Sequence, residues 1–172
     1  SKVSTAQEMY NEAIRNFEDT DIAILAAAVS DYRPKEIALQ KIKKKSAGME
    51  IELEKTPDIA AALGALKSKD QIIIGFALET NNELENAHEK LERKNFDFIV
   101  LNSLKDKGAG FNFDTNKITI LYRSNKKQEF EPPWSAYPIK LFFQRKLMNC
   151  KIEGKDSHQS PISISIFVSL QV

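Results

Sequence analysis

The chain is short of the residues that most functions announce themselves with. It has one cysteine, two histidines, six glycines and a formal net charge of only +1. Cys150 alone excludes an intrachain disulfide and a multi-cysteine metal site, as suits a reducing cytosol. His88 and His158 lie far apart, and His88-Glu89 is not followed by the second histidine of an HExxH zinc motif. There is no GxGxxG and no GxxxxGK[ST], so dinucleotide and P-loop binding have no fingerprint. A nearly neutral chain offers no general attraction for nucleic acid. No apolar run reaches the roughly 18 residues of a membrane span, and the polar N-terminus is no signal peptide. These absences predict a soluble, cytoplasmic protein with neither nucleic acid nor membrane as partner.

What is present reads as one domain. The 172 residues are 42% apolar and 28% charged, the balance of an ordinary globular protein. Thr5 followed by Glu8 is a capping-box signature and opens an amphipathic helix to about Phe17, with Met9, Ala13, Ile14 and Phe17 on its buried stripe. Asp21 to Val29 is an apolar run suited to a strand buried on both faces of a parallel sheet. Met49 to Leu53 alternates like a half-exposed strand. Thr56-Pro57-Asp58 marks a second helix start, with Thr56 as cap and Pro57 at the first helical position, running to about Lys67. Gln71 to Ala77, Phe96 to Leu101 and Lys117 to Tyr122 are strands, and Glu83 to Lys94 is helical. The alternation predicts an α/β fold: a Rossmann-like, mainly parallel sheet flanked by helices, with an added β edge. From Glu131 the character changes. Pro132-Pro133 and Pro138 break continuing elements, while Pro161 to Val172 alternates like one more strand. The expected division is therefore 1–130 and a divergent tail over 131–172.

Residues 26–45, AAAVSDYRPKEIALQKIKKK, concentrate the chemistry. Ser30, Asp31 and Tyr32 fall at the carboxyl end of a predicted strand, where ligands of open α/β sheets bind. Lys41, Lys43, Lys44 and Lys45 would then bring positive charge to a pocket mouth suited to a polyphosphate. A solvated basic loop is the competing reading. On the third helix Lys90 and Lys94 share one face, while Glu85, Glu89 and Glu92 group on another. Like charges at this spacing cost a few tenths of a kcal/mol, so a phosphate partner would explain them better than stability does. An exposed face without a role stays open. On this reading, replacing either lysine should leave stability unchanged or slightly higher.

Six segments in order extend the pattern: AAAVSDYRP, KIKK, EKTPDIAA, IIIGFALET, EKLERKNFDFIVLN and GFNFDTNKITIL. Together they resemble phosphopantothenoylcysteine synthetase, the ligase domain of the bifunctional coenzyme A biosynthesis flavoprotein, over residues 1–130. The resemblance implies a nucleotide site made by Asp31, Lys41, Pro57, Asp58, Ile59, Ala60, Phe76, Lys90 and Lys94, with Lys41 also the catalytic group. It implies CTP-dependent joining of 4′-phosphopantothenate to cysteine through an acyl cytidylate, assisted by Mg²⁺. FMN would enter only through fusion to a decarboxylase domain. A homodimer is expected. The family's glycine-rich first turn and asparagine loop would precede Ser1, so the chain reads as part of the fold. A non-catalytic nucleotide-binding or dimerisation module is the alternative.

Overall fold

The computed structural model describes residues 1–38, 40–42, 48–79, 81–103, 118–130 and 163–167. Lys43, Lys44 and Lys45, Cys150, His158 and the proline-broken stretch 131–162 lie outside the described residues.

Helix α1 (Ala6–Phe17) begins where its sequence signature predicts: the Thr5 hydroxyl accepts from the Glu8 amide, and the Glu8 side chain accepts from the Thr5 amide. Strand β1 (Ile22–Leu25) follows, then a two-stranded arm of β2 (Tyr32–Pro34) and β3 (Leu53–Lys55). Helix α2 (Ile59–Leu66), β4 (Ile72–Glu79), α3 (Glu83–Arg93) and β5 (Phe98–Ser103) form the alternating body. Strands β6 (Ile118–Tyr122), β7 (Lys127–Phe130) and β8 (Ile164–Phe167) complete the described elements.

Six strands make one sheet in the order β7-β6-β5-β4-β1-β8. The β8·β1, β1·β4 and β4·β5 pairs are parallel, and β6 and β7 add an antiparallel edge. The expected α/β, mainly parallel architecture with an added β edge is therefore what the chain adopts. Side-chain alternation splits the sheet into two apolar faces. Ala23, Ile73, Ala77, Ile99, Leu101 and Leu121 pack with residues of all three helices. Ile22, Ile24, Ile74, Val100, Ile118 and Ile120 form the cluster on the opposite face.

The strand expected at Met49 to Leu53 lies further along, at Leu53–Lys55. Pairing with the arm's other strand sets its place: Tyr32 is opposite Lys55 and Pro34 opposite Leu53. Cross-strand ion pairs Arg33–Glu54 (2.7 Å) and Lys35–Glu52 (2.7 Å) reinforce that register. Strand β8 supplies the partner for the second edge of β1. The Asp21 carboxylate and the Thr20 hydroxyl, at the entry to β1, meet the Ser163 amide (2.9 Å) and the Ser165 hydroxyl (2.8 Å).

At the amino ends of the strands, Lys67 donates to both oxygens of Asp97 at 2.6 Å, and Asp97 also accepts the Ile73 amide at 2.8 Å. One carboxylate thus joins the end of α2 to β4 and β5. Lys67 is nearly buried. Removing one partner of such a pair strands the other charge. Asp97→Ala should lower unfolding free energy by about 3 kcal/mol, whereas Arg15→Ala, which breaks an exposed pair with Glu12, should change it by less than about 1 kcal/mol. Urea titration of both variants decides it, and equal effects would remove Asp97 from this structural role.

Candidate functional site

A cavity of about 220 Å³ opens at the carboxyl end of β1, beside the start of α2 and one face of α3. Its walls combine apolar groups from β1 and α1 with Asp31, Asp58, Lys90, Lys94, Phe76 and Phe96. Eight of the nine residues expected at a nucleotide site line it: Asp31, Pro57, Asp58, Ile59, Ala60, Phe76, Lys90 and Lys94. Lys41 does not. It is exposed on the irregular stretch beyond the arm, away from the cavity lining.

The arm explains how residues far apart in sequence meet. The chain leaves the sheet at Asp31 and returns at Thr56, where the Thr56 amide donates to the Asp31 carbonyl (3.0 Å) and its hydroxyl to the Ser30 carbonyl (2.5 Å). These bonds close the root of the arm and set Asp31 beside α2. Thr56 was the expected helix cap, with Pro57 inside the helix. Instead Asp58 caps α2, its carboxylate accepting the Ala61 amide at 3.0 Å. Thr56 is already engaged with Ser30, and Asp58 reaches the free amides of the first turn without distortion.

Lys94 is the site's most constrained group. It lies just past α3, is only 8% exposed, and its ammonium donates to the second oxygen of Asp58. Burial pulls its pKa below the ordinary lysine range, and the attraction of Asp31 opposes that pull without overcoming it. Lys90 is half-buried and stands 3.7 Å from Glu79 of β4. The two lysines are therefore not an unrelieved like-charge pair, as their spacing alone suggested, because each has a carboxylate from another element. The expected tolerance of stability to their loss is corrected for Lys94.

Two glycines permit this packing. A Cβ on Gly64 would stand 2.1 Å from the Lys94 carbonyl oxygen, and one on Gly75 would stand 2.2 Å from the Phe96 ring. The first lets α2 lie against the end of α3. The second lets Phe96 cover β4 and form part of the cavity wall. Phe96, Met9, Leu25 and Thr56 line the cavity although the sequence singled none of them out for it. Their only sequence signals are apolarity and turn chemistry, which most core and loop residues share.

Comparison with known proteins places this geometry. Residues 1–134 match the model of the family described as DNA/pantothenate metabolism flavoprotein C-terminal domain. The chain belongs to this family. A cysteine/cysteine sulfinic acid decarboxylase from an unknown prokaryotic organism is 54% identical over 129 residues, covering 75% of the chain and 36% of that relative. The coenzyme A biosynthesis bifunctional protein CoaBC of Bacillus subtilis (strain 168) is 42% identical over 127 residues, 74% of the chain and 31% of the relative. The chain thus spans about a third of the length of these relatives. The crystal structure of the C-terminal domain of CoaBC superposes with a TM-score of 0.69 at 31% identity, covering 89% of the chain and 66% of that domain. The flavoprotein from Streptococcus pneumoniae gives 0.70 at 18% identity, a likeness of fold alone.

These findings correct the expected activity. The family is described as part of a flavoprotein, and the 54%-identical relative is named a decarboxylase. They overturn the reading as a CTP-dependent ligase with an acyl-cytidylate intermediate, and with it CTP and Mg²⁺ as the defining small molecules. The physical reason is that the six segments report a fold and a pocket, and one pocket architecture serves more than one chemistry. The relatives named bifunctional support the expected fusion context. Among the described residues no helix is long and apolar enough to cross a membrane.

The site's electrostatics give a direct stability test. Lys94→Ala leaves the Asp58 carboxylate without its cation and opens a space between α2 and α3, so unfolding free energy should fall by about 1–3 kcal/mol. Lys90→Ala should stay within about 0.5 kcal/mol, because its ion pair is looser and wetter. Denaturant unfolding of the two variants distinguishes them. A Lys94→Ala chain as stable as the parent would return that lysine to the solvated-surface reading.

Proposed function

We propose that this chain is the C-terminal domain of a decarboxylase-type flavoprotein, and that its cavity binds one end of a phosphorylated small molecule. The observation that carries the reading is the convergence of Asp31, Asp58, Lys90, Lys94 and Phe76 from four separate elements on one half-open cavity. Lys90 reaches it from a turn earlier on the same side of α3 as Lys94 and is the more accessible cation. An ammonium facing a phosphate gains a charge-assisted hydrogen bond. Phe76 offers an apolar surface at the exit of β4 for a ring or carbon chain. Asp31 makes no side-chain hydrogen bond or ion pair among the described residues, and its carboxylate is left to accept from hydroxyl or amine groups of the ligand. The nucleotide-binding role first read for these positions is carried here in this general form. The relative's cysteine-type carboxylic acids are the proposed substrate class of the whole protein.

The flavin implied by the family does not fit this cavity. About 220 Å³ is below the roughly 300 to 1,000 Å³ of small-molecule sites. No step of a flavin reaction is therefore assigned to these residues. What this chain supplies is recognition: Lys90 for the anionic group, Asp31 for donor groups, Phe76 and Phe96 for apolar contact.

Isothermal titration with inorganic pyrophosphate and a nucleoside monophosphate tests the reading. Lys90→Gln should weaken binding by about tenfold, the equivalent of a charge-assisted hydrogen bond. Lys41→Gln, outside the cavity, should leave it within about twofold. Equal losses in both variants, or no binding by the parent chain, would overturn the assignment.

A second observation supports a homodimer. Tyr32, Ile37, Ile42, Met49, Ile51 and Leu53 are all exposed, Ile37 at 84%, and all lie on the arm or its extension. So much uncovered apolar surface on one projection marks an interface. A second copy is the proposed occupant. Each arm is a two-stranded ribbon with unpaired outer edges among the described residues, so two arms related by a two-fold axis can pair edge to edge and cover each other's apolar groups. Sedimentation should give a dimer for the parent chain and a monomer for the Ile37→Asp, Ile51→Asp double variant, with the melting temperature of its folded body unchanged. A monomeric parent at micromolar concentration would remove this interface.

A further inference from the structure

Lys94 owes its place to a backbone contact between helices, and that contact has a dedicated side chain. Asn95, the next residue, adopts φ 55°, in the left-handed region. Its amide donates to the Glu92 carbonyl (3.1 Å) and the Phe96 amide to the Leu91 carbonyl (2.9 Å), which ends α3 and turns the chain toward β5. Glycine meets such a φ without steric cost. What asparagine adds is a donor: its Nδ2 reaches the Gly64 carbonyl oxygen at 2.7 Å. Gly64 is the same residue whose missing Cβ leaves room for the Lys94 carbonyl.

We infer that Asn95 is a positioning residue for the pocket, holding α2 against the end of α3 so that Lys94 meets Asp58 and faces the cavity. The inference rests on the reading of Lys94 as part of the ligand site. The lever is short. Gly64 lies six residues into α2 from its cap Asp58, about 9 Å at the helical rise. A helix of this length moves as a rod, so fixing its last turn against Lys94 and Asn95 constrains Asp58 relative to the Lys94 ammonium. Without the Asn95 bond, α2 would keep its apolar contacts, the Lys67–Asp97 tie just past its end and the Asp58–Lys94 pair, but would lose the hydrogen bond from the turn that ends α3. The other positive-φ asparagines serve elsewhere: Asn82 precedes α3 and Asn125 makes the β6–β7 turn.

The charged groups around the Lys94 ammonium are Asp58 of α2, Asp31 after β1 and Lys90 of α3, while Glu79 of β4 holds Lys90. Burial pulls the Lys94 titration down and its carboxylate neighbours pull it up, so a changed α2–α3 contact, which alters both, displaces that titration. A residue that merely supports the fold would not move that titration in the folded state.

The experiment uses Asn95→Gly in the full chain, which keeps the left-handed φ and deletes only the donor, with Asn125→Gly as comparator. Side-chain NMR should follow the Lys94 ammonium through its titration while the amide spectrum confirms a folded chain. Expected are a displaced Lys94 titration in Asn95→Gly, an unmoved one in Asn125→Gly, and pyrophosphate binding weakened about fivefold in the first variant alone. A folded Asn95→Gly chain whose Lys94 titration does not move overturns the positioning role, even if its melting temperature falls. If the shift occurs but the parent chain binds no pyrophosphate, the positioning role stands and the phosphate-ligand reading falls.

Discussion

The close approach of α2 to the end of α3 is the constraint on which the site depends. Gly64 has no Cβ, so its backbone can rest against the Lys94 carbonyl, and the helix it belongs to carries Asp58 at its start. Lys94 is then buried beside a carboxylate rather than extended into water. An ammonium in that setting is tolerable only because Asp58 is already in place, and Asp58 is in place because it caps the helix. One carboxylate therefore does two jobs with its two oxygens, one toward the Ala61 amide and one toward Lys94. Helix end, ion pair and cavity wall form a single arrangement.

The body that carries this arrangement is stabilised at the opposite end of the sheet. Asp97 ties Lys67 to the Ile73 amide, and the buried Gln71 side chain donates to the Phe17 and Thr20 carbonyls at 2.6 and 2.9 Å. These bonds satisfy backbone and charge where strands begin, and the cavity opens at the other end, by the strand exits. Between the two ends lie apolar faces built from β-branched and small residues, with the Phe98–Tyr122 edge-on pair at 5.0 Å bridging the parallel body to its antiparallel edge. The arm interrupts the body between Asp31 and Thr56. Its root is polar and belongs to the cavity, while its outer part carries exposed apolar residues, so one insertion presents two chemically different surfaces.

The helices and the parallel body were legible in the sequence because local signals carry them. Thr5 with Glu8 is a capping-box signature, and IAIL and IIIG are short, β-branched apolar runs that suit a buried strand. Eight of the nine residues expected at a nucleotide site were legible as cavity residues for a different reason: strand exits and helix starts are fixed points of this fold, and the six segments fall on them. Lys41 was not, since a basic run beside a motif says nothing about where an irregular segment lies once the arm folds. The Thr56 cap failed because two candidate caps two residues apart compete, and the Ser30 carbonyl, distant in sequence, claims one of them.

The sequence by itself determined the class of fold, the order of its elements and the residue types available at the strand exits, because periodicity, capping and turn chemistry act over a few neighbours. Tertiary structure alone decided which lysine is buried and which carboxylate it meets, since Lys94 and Asp58 are brought together across two helices whose spacing is set by a glycine and a single asparagine bond. It also decided that β8 sits beside β1 and that the arm's apolar residues face outward. Burial and pairing are properties of the surroundings of a side chain, and those surroundings exist only after the chain has folded.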